Sequence, residues 1–437
     1  VRRHRHPLVL AITLALGAPL ASAQAPATAA ATTVVRCGAL IDVDGGRKLG
    51  AHSIVVRGDR IAEVRAGSAD VAGAAVVDLS GHTCMPGLMD MHVHITDETS
   101  KDKYSEGFRL NPPDYAFRSV VLAERTLMAG FTTVRHLGDD GVVSVSLRNA
   151  IAQGLVKGPR VFTSGKSVAT TGGHADPTNG WARRIMGDPG PVDGVVNSPG
   201  EARKAVRQRY KESADLIKIT ATGGVLSFAK NGQNPQFSVA EVKAIVDTAR
   251  DYGLKVAAHA HGDEGARRAV LAGVDSIEHG TYLSDETMRL MKEKGTWYVP
   301  TISAGVFVAE QAQQPGYYPE IVRPKALAVG PLIQKTAGRA WKAGVKIAFG
   351  TDAGVFPHGL NAREFELLVG AGMPPMAAIQ SATVNAAALL GESATLGSVS
   401  SGKFADIVAV EGDPLEDITR MKSVAFVMKN GVVYKGP

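Results

Sequence analysis

The sequence predicts an α/β protein: a (β/α)8 TIM-like barrel carrying a small β-sandwich built from both chain ends. Three observations predict it. Apolar β patterns alternate with amphipathic helices through the middle of the chain, both ends are rich in short β patterns, and no Gly-x-Gly-x-x-Gly follows an early strand. Alternating βα units imply a parallel sheet. About eight of them favour closure into a barrel over an open, doubly wound sheet.

Residues 1–23 read as a signal peptide. Arg2, Arg3 and Arg5 give a basic start, 7–20 is apolar, and Ala21-Ser22-Ala23 is a small-residue cleavage site. The expected mature protein is exported, periplasmic or secreted, with no stable membrane span, because the apolar run is short for one. Residues 33–80 form the first part of the sandwich, with β patterns at 34–37, 53–57 and 61–64 between Gly-containing turns. Residues 395–437 form the second part, with patterns at 406–410, 424–428 and 432–434, the last two flanking an Asn430-Gly431 turn.

The barrel occupies 85–390. After the strand that carries His92, strands are predicted at 132–134, 160–163, 216–219, 255–258, 276–278, 297–300 and 346–349. Helices are predicted at 113–129, 198–212, 239–252, 262–272, 284–294 and 327–343.

Composition narrows the function. With 45% hydrophobic residues, 49 Gly and 5% aromatics, the chain reads as a compact, loop-rich enzyme. The net charge of +6 is spread among mixed-sign runs such as Lys292-Glu293-Lys294, and no nucleic-acid motif is present, so a nucleic-acid partner is excluded. The two cysteines, Cys37 and Cys84, lie in apolar β patterns without metal-type spacing. Export permits a disulfide, but buried free thiols are the expectation.

His92-Val93-His94 stands at the end of an apolar strand, where residues two apart share a face. Neutral imidazoles there can converge on a divalent cation. Four later strand ends add ligand types. Lys218 lies inside Leu216-Ile217-Lys218-Ile219, where burial disfavours its ammonium; the neutral amine can take up carbon dioxide as a carbamate able to bridge two cations. His259 and His261 share a face, and His259, nearer the strand, is the preferred ligand of the two. His279 follows Ser276-Ile277-Glu278, and Asp352 follows Phe349-Gly350-Thr351. The C-terminal strand ends are where barrel enzymes build their sites.

These motifs, with Pro86-Gly87-Leu88-Met89-Asp90-Met91-His92-Val93-His94, Lys218-Ile219-Thr220-Ala221-Thr222-Gly223-Gly224 and Gly402-Lys403-Phe404-Ala405-Asp406-Ile407-Val408, resemble the amidohydrolase superfamily in its binuclear, carboxylated-lysine branch. Within it they are similar to imidazolonepropionase-like, prolidase-related Xaa-amino-acid carboxypeptidases, a neighbourhood that includes bacterial ochratoxin-degrading amidohydrolases. The resemblance implies that His92, His94 and Asp352 hold one divalent ion and His259 and His279 a second. Lys218, as N6-carboxylysine, bridges them. Zinc is the default ion. A hydroxide bridging the ions is the implied nucleophile, and Asp352 the implied proton shuttle.

His174, His261 and Tyr282 resemble substrate contacts. His136 stands where the family usually has Asp, which puts the pocket's electrostatics in question. The implied activity is hydrolysis of the amide bond before a C-terminal amino acid in dipeptides or N-acyl amino acids, ochratoxin A among them, by a homo-oligomer. The alternatives are a lactonase or cyclic-amide hydrolase on the same scaffold, and a barrel kept only for binding.

Overall fold

The computed structural model describes residues 31–139 and 141–436. The expected signal peptide lies outside the described residues. Fifteen strands follow one another along them. The first five are β1 (Thr32–Asp42), β2 (Arg47–Leu49), β3 (His52–Arg57), β4 (Arg60–Ala66) and β5 (Ala75–Pro86). The barrel contributes β6 (Leu88–Val93), β7 (Phe131–His136), β8 (Arg160–Thr163), β9 (Leu216–Thr220), β10 (Lys255–Ala260), β11 (Ser276–His279) and β12 (Trp297–Val299). The chain ends with β13 (Ile407–Glu411), β14 (Val424–Lys429) and β15 (Val432–Lys435).

Both chain ends build one sheet, in the order β15-β14-β13-β5-β1-β3-β4, with β2 paired to β1. The sheet rolls on itself. At its β4 edge the Ile61 N–H donates to the Lys403 carbonyl at 2.9 Å, and the Ala405 N–H to the Asp59 carbonyl at 2.8 Å. Rolling encloses an apolar core of Val35, Ile54, Ile61, Leu79, Ile407 and Phe426. The small sandwich foreseen from both chain ends is thus one continuous sheet folded over this core.

The expectation of free thiols is corrected within this core: Cys37 of β1 and Cys84 of β5 form a disulfide. Their β patterns fall on neighbouring parallel strands, a proximity that spacing along the chain does not reveal.

β6, β7 and β8 pair in parallel, as do β9 to β12. Two less regular segments close the ring. The Val168 N–H donates to the Lys218 carbonyl at 2.8 Å, and the Thr220 N–H to the Val168 carbonyl at 3.0 Å, which joins the β8 side to β9. On the far side the Ala348 N–H donates to the Tyr298 carbonyl at 3.0 Å, the Met91 N–H to the Phe349 carbonyl at 2.8 Å and the Asp352 N–H to the His92 carbonyl at 2.7 Å. The strand predicted at 346–349 is thus the eighth stave, although only Ile347 makes a regular bridge, to Tyr298.

Helix ends follow their local chemistry. Ser198, Ser238 and Ser284 accept the N–H of Glu201, Glu241 and Thr287 respectively, satisfying donors that a helix start leaves unpaired. The helix predicted at 327–343 begins earlier, at Arg323, and carries Pro331 inside it. No helix among the described residues is long and apolar enough to cross a membrane.

The disulfide closes a separation of 47 residues, a loop for which cross-linking stabilises by roughly 2–5 kcal/mol. The Cys37→Ala/Cys84→Ala variant should melt several degrees below the parent. Titration of the unfolded, unreduced parent should find no free thiol; two free thiols per chain would contradict the bond.

Candidate active site

Eight of the residues singled out in sequence line one cleft at the C-terminal mouth of the barrel: His92, His94, His174, Lys218, His259, His261, His279 and Asp352. Tyr282 does not line it; it lies in an adjoining cavity. His136 does not line the cleft either. It is buried behind His94, its ring edge toward that imidazole at 5.9 Å between centroids, and its Nδ1 accepts the Ile95 N–H at 3.0 Å. Its contribution is to the backing of the site and not to the pocket wall.

Local backbone form sets which side chains face inward. Among the described residues five non-glycines have left-handed φ, and three of them are here: His279 at 69°, Thr301 at 51° and Asp352 at 62°. Such conformations cost roughly 1–3 kcal/mol each. At His279 the reversal interrupts the strict alternation of β11, so that Glu278 and His279 both reach the site. The Asp352 carboxylate approaches the two β6 imidazoles, its Oδ1 lying 3.4 Å from His92 Nε2 and 3.3 Å from His94 Nε2.

Five of the six cleft imidazoles are oriented by a bond at one nitrogen, which leaves the other toward the cleft. His92 Nδ1–H donates to Glu278 Oε2 at 2.9 Å. His94 Nδ1–H donates to the Gly138 carbonyl at 2.9 Å. His279 Nδ1 hydrogen-bonds Thr301 Oγ1 at 2.7 Å, and His261 Nδ1 hydrogen-bonds Thr281 Oγ1 at 2.8 Å. His259 is the reverse case: its Nε2–H donates to the Gly223 carbonyl at 3.0 Å, leaving Nδ1. Its ring stacks on His174 at 4.4 Å and lies edge-on to His279 at 4.7 Å. Gly224 admits that stack, because a Cβ there would overlap the His174 ring.

Burial sets the charges. It holds His92, His259 and His279 well below the ordinary histidine value, with neighbouring positive groups adding to the effect. His174 is pushed down to about 3 and His261 to about 4 by the same causes. All are neutral near pH 7, the form that donates a lone pair. Burial also brings the Lys218 amine down to about 8, against the opposing pull of Glu278 and Asp352. Its Nζ lies 3.4 Å from His92 Nε2.

The donor set fits a metal centre. His92, His279 and Asp352 offer ligand atoms all within 4.8 Å of one another. Asp352 Oδ1 is buried without a hydrogen-bond donor, as are Thr220 Oγ1 and His174 Nδ1 beside it. Buried polar atoms are ordinarily paired, and a carboxylate oxygen among imidazole nitrogens without a hydrogen-bond donor fits a bound cation.

The supporting residues were missed in sequence. Arg135, buried in the barrel interior, donates from Nη2 to Glu278 Oε1 at 2.8 Å, from Nη1 to Ser276 Oγ at 3.1 Å and from Nε to the Met91 carbonyl at 2.6 Å. Asp90 accepts the His92 N–H at 3.1 Å, the Thr351 N–H at 3.0 Å and the Asn361 amide at 2.8 Å. Burial raises its carboxyl to about 6, against the pull of those donors. Glu364 accepts the Ile302 and Ser303 N–H groups at 2.9 and 2.7 Å, which fixes the chain just after Thr301. The signal available was a charged residue inside an apolar strand: Asp90, Arg135 and Glu278 all have it, as Lys218 does.

Comparison with known proteins agrees with this geometry. The amidohydrolase family profile matches residues 83–434. An ochratoxinase of Aspergillus niger is 35% identical over 431 residues, spanning 93% of this chain and 88% of that protein. The crystal structure of a Xaa-Pro dipeptidase with methionine bound in its active site has a TM-score of 0.91 and 52% identity, covering 93% of this chain and 100% of that one. A prolidase complexed with N-methylphosphonate-L-proline has a TM-score of 0.84 and 32% identity, with 93% and 100% covered. With similarity running through barrel and rolled sheet alike, the chain belongs to the amidohydrolase family and is a hydrolytic enzyme.

Proposed function

We propose that this enzyme hydrolyses the amide bond before a C-terminal amino acid, in dipeptides and N-acyl amino acids, at a binuclear metal centre. The observation that carries the reading is the convergence of neutral imidazoles, Lys218 and the donor-free Asp352 Oδ1 on one cleft. The similarity to a dipeptidase with methionine in its active site, a prolidase and an ochratoxinase supports the substrate class. Ochratoxin A, an aryl amide of phenylalanine, belongs to that class.

His92, His94 and Asp352 would hold one cation and His259 and His279 the other, with Lys218 as carbamate between them. The family generally uses metal ions, and nitrogen and carboxylate donors suit zinc. Bound divalent cations supply a water of lowered pKa and positive charge at the scissile carbonyl. The remaining work belongs to the chain. A neutral Lys218 Nζ adds to carbon dioxide, forming an N–C bond and releasing one proton. The Asp352 carboxylate takes the proton of the attacking water and passes it to the leaving amine nitrogen. His174 and His261 face the substrate, and Val225, Val308, Val329, Ile333 and Val355 give the cleft an apolar wall for the acyl group or side chain.

Export is part of the proposal. The basic and apolar start of the sequence supports it, and so does the Cys37–Cys84 disulfide, since such bonds persist in oxidising compartments. Self-association is supported by exposed apolar side chains such as Phe117, 76% exposed, and Phe108, 61% exposed.

Three measurements test the reading. Purified enzyme should carry about two zinc ions per chain, lose turnover on chelation and recover it with zinc; a metal-free, fully active enzyme would sink the proposal. Asp352→Asn should keep the parent's circular dichroism and lower kcat on an N-acyl amino acid by roughly 10²–10⁴-fold. An active Asn variant removes Asp352 from proton transfer. Glu278→Gln should weaken zinc retention, read by competition with a chromogenic chelator, by roughly 10–100-fold. Unchanged retention would mean that the Arg135–Glu278 pair does not position His92.

A further inference from the structure

Beside the cleft lies a second cavity. The two share Val225, His261 and Val329 as common walls. The side cavity has a different chemical character. Lys230, Lys325, Gln233, Asn231 and Tyr282 border it, and none of its lining residues is acidic.

Lys325 is committed to structure. Its Nζ donates to the carbonyls of Gly224, Ser227 and Ala229 at 3.1, 2.7 and 2.7 Å. Those three bonds hold the segment that runs from Gly224, under the His174 ring, toward Lys230. No carboxylate offsets the Lys325 charge, and burial alone brings its amine down to about 8. Lys325 also stands in the first turn of the helix Arg323–Ala343, a turn without an acidic residue. The positive end of that helix therefore adds to the potential. Lys230, by contrast, is exposed at the cavity edge, with its ammonium available for contact. On the inner side stands His261, buried, its Nδ1 taken by Thr281.

We infer that this side cavity is the subsite for the free carboxylate of the substrate's C-terminal residue. Lys230 is its contacting cation, Lys325, protonated below about pH 8, adds positive charge, and His261 lies on the wall shared with the cleft. The inference rests on the proposed hydrolysis and deepens it by naming the group that sets specificity. In a peptide the carboxylate is one residue beyond the scissile bond, and the side cavity adjoins the cleft across Val225, His261 and Val329. A cavity whose polar lining is amines, amides, an imidazole and a phenol beside Val225, Pro324, Ala328 and Val329, without a carboxylate, is complementary to an anion and repels a cation. The sequence could not select these lysines among the many near strand ends, because Lys230 and Lys325 are 95 positions apart and meet only across the loop that Lys325 tethers.

The test compares N-acetyl-L-phenylalanine with its C-terminal carboxamide on the zinc-loaded full chain. The parent should favour the acid. Lys230→Met should lower the ratio of kcat/KM for acid over carboxamide by about tenfold, the lower range for a hydrogen bond to a charged group, chiefly through KM. Lys230→Glu should lower the ratio further, and Lys230→Arg should restore it. An acid-to-carboxamide ratio that Lys230→Met leaves at the parent's value would overturn the subsite. Should the parent cleave neither compound, the hydrolysis proposal falls by itself. The subsite is then read separately by calorimetric titration of L-phenylalanine against L-phenylalaninamide, where equal affinities in parent and Lys230→Met would overturn it.

Discussion

The main-chain hydrogen bonds between β6 and the segment that follows Lys346 close the barrel and place its chemistry at the same time. His92 and Asp352 are far apart in sequence, yet the Asp352 N–H donates to the His92 carbonyl at 2.7 Å and the His94 N–H to the Ala353 carbonyl at 2.7 Å. This zipper puts a carboxylate oxygen within 3.4 Å of two imidazole nitrogens. The segment is too irregular to count as a full strand. It is held instead by Asp90, which accepts from His92, Thr351 and Asn361 together. A carboxylate buried in the barrel thus does for the eighth stave what a regular ladder does for the other seven.

A second buried group works in the same way from the opposite side. The Arg135–Glu278 pair occupies the barrel interior, where removing one partner of such a pair costs roughly 3–5 kcal/mol. Its free oxygen orients His92. Stability and site geometry are therefore coupled, because the charges paired in the barrel interior are the same ones that aim the His92 ring. The left-handed backbone at His279, Thr301 and Asp352 is tolerated for the same reason. Neighbouring hydrogen bonds, including those that Glu364 accepts from the start of the helix after Thr301, over-determine it.

The cleft and the side cavity differ in chemical character. The cleft presents neutral imidazoles, one carboxylate and an aliphatic wall. The side cavity presents amines and amides. Between them, the loop tethered by Lys325 carries Val225 into the shared wall and leaves, at Gly224, the room that the His174 ring needs. One tether thus holds a hydrophobic surface, the room for the His174 imidazole and the approach to Lys230.

What the sequence determined by itself was everything written in local pattern. Alternation and amphipathic spacing gave the barrel and the β-rich ends, while a lysine, histidines and an aspartate at the ends of apolar runs gave the members of the cleft. Those signals are local because strand periodicity and the burial of flanking residues act over a few positions. The tertiary structure alone decided which nitrogen of each ring faces inward, that Arg135 and Glu278 share the interior with His92, that His136 backs the site without lining it, and that Cys37 meets Cys84. It also moved Tyr282 out of the cleft and gathered Lys230 and Lys325 around a common cavity. Each of these depends on distances between elements remote along the chain, or on a backbone reversal at a single residue, and neither leaves a trace in periodicity.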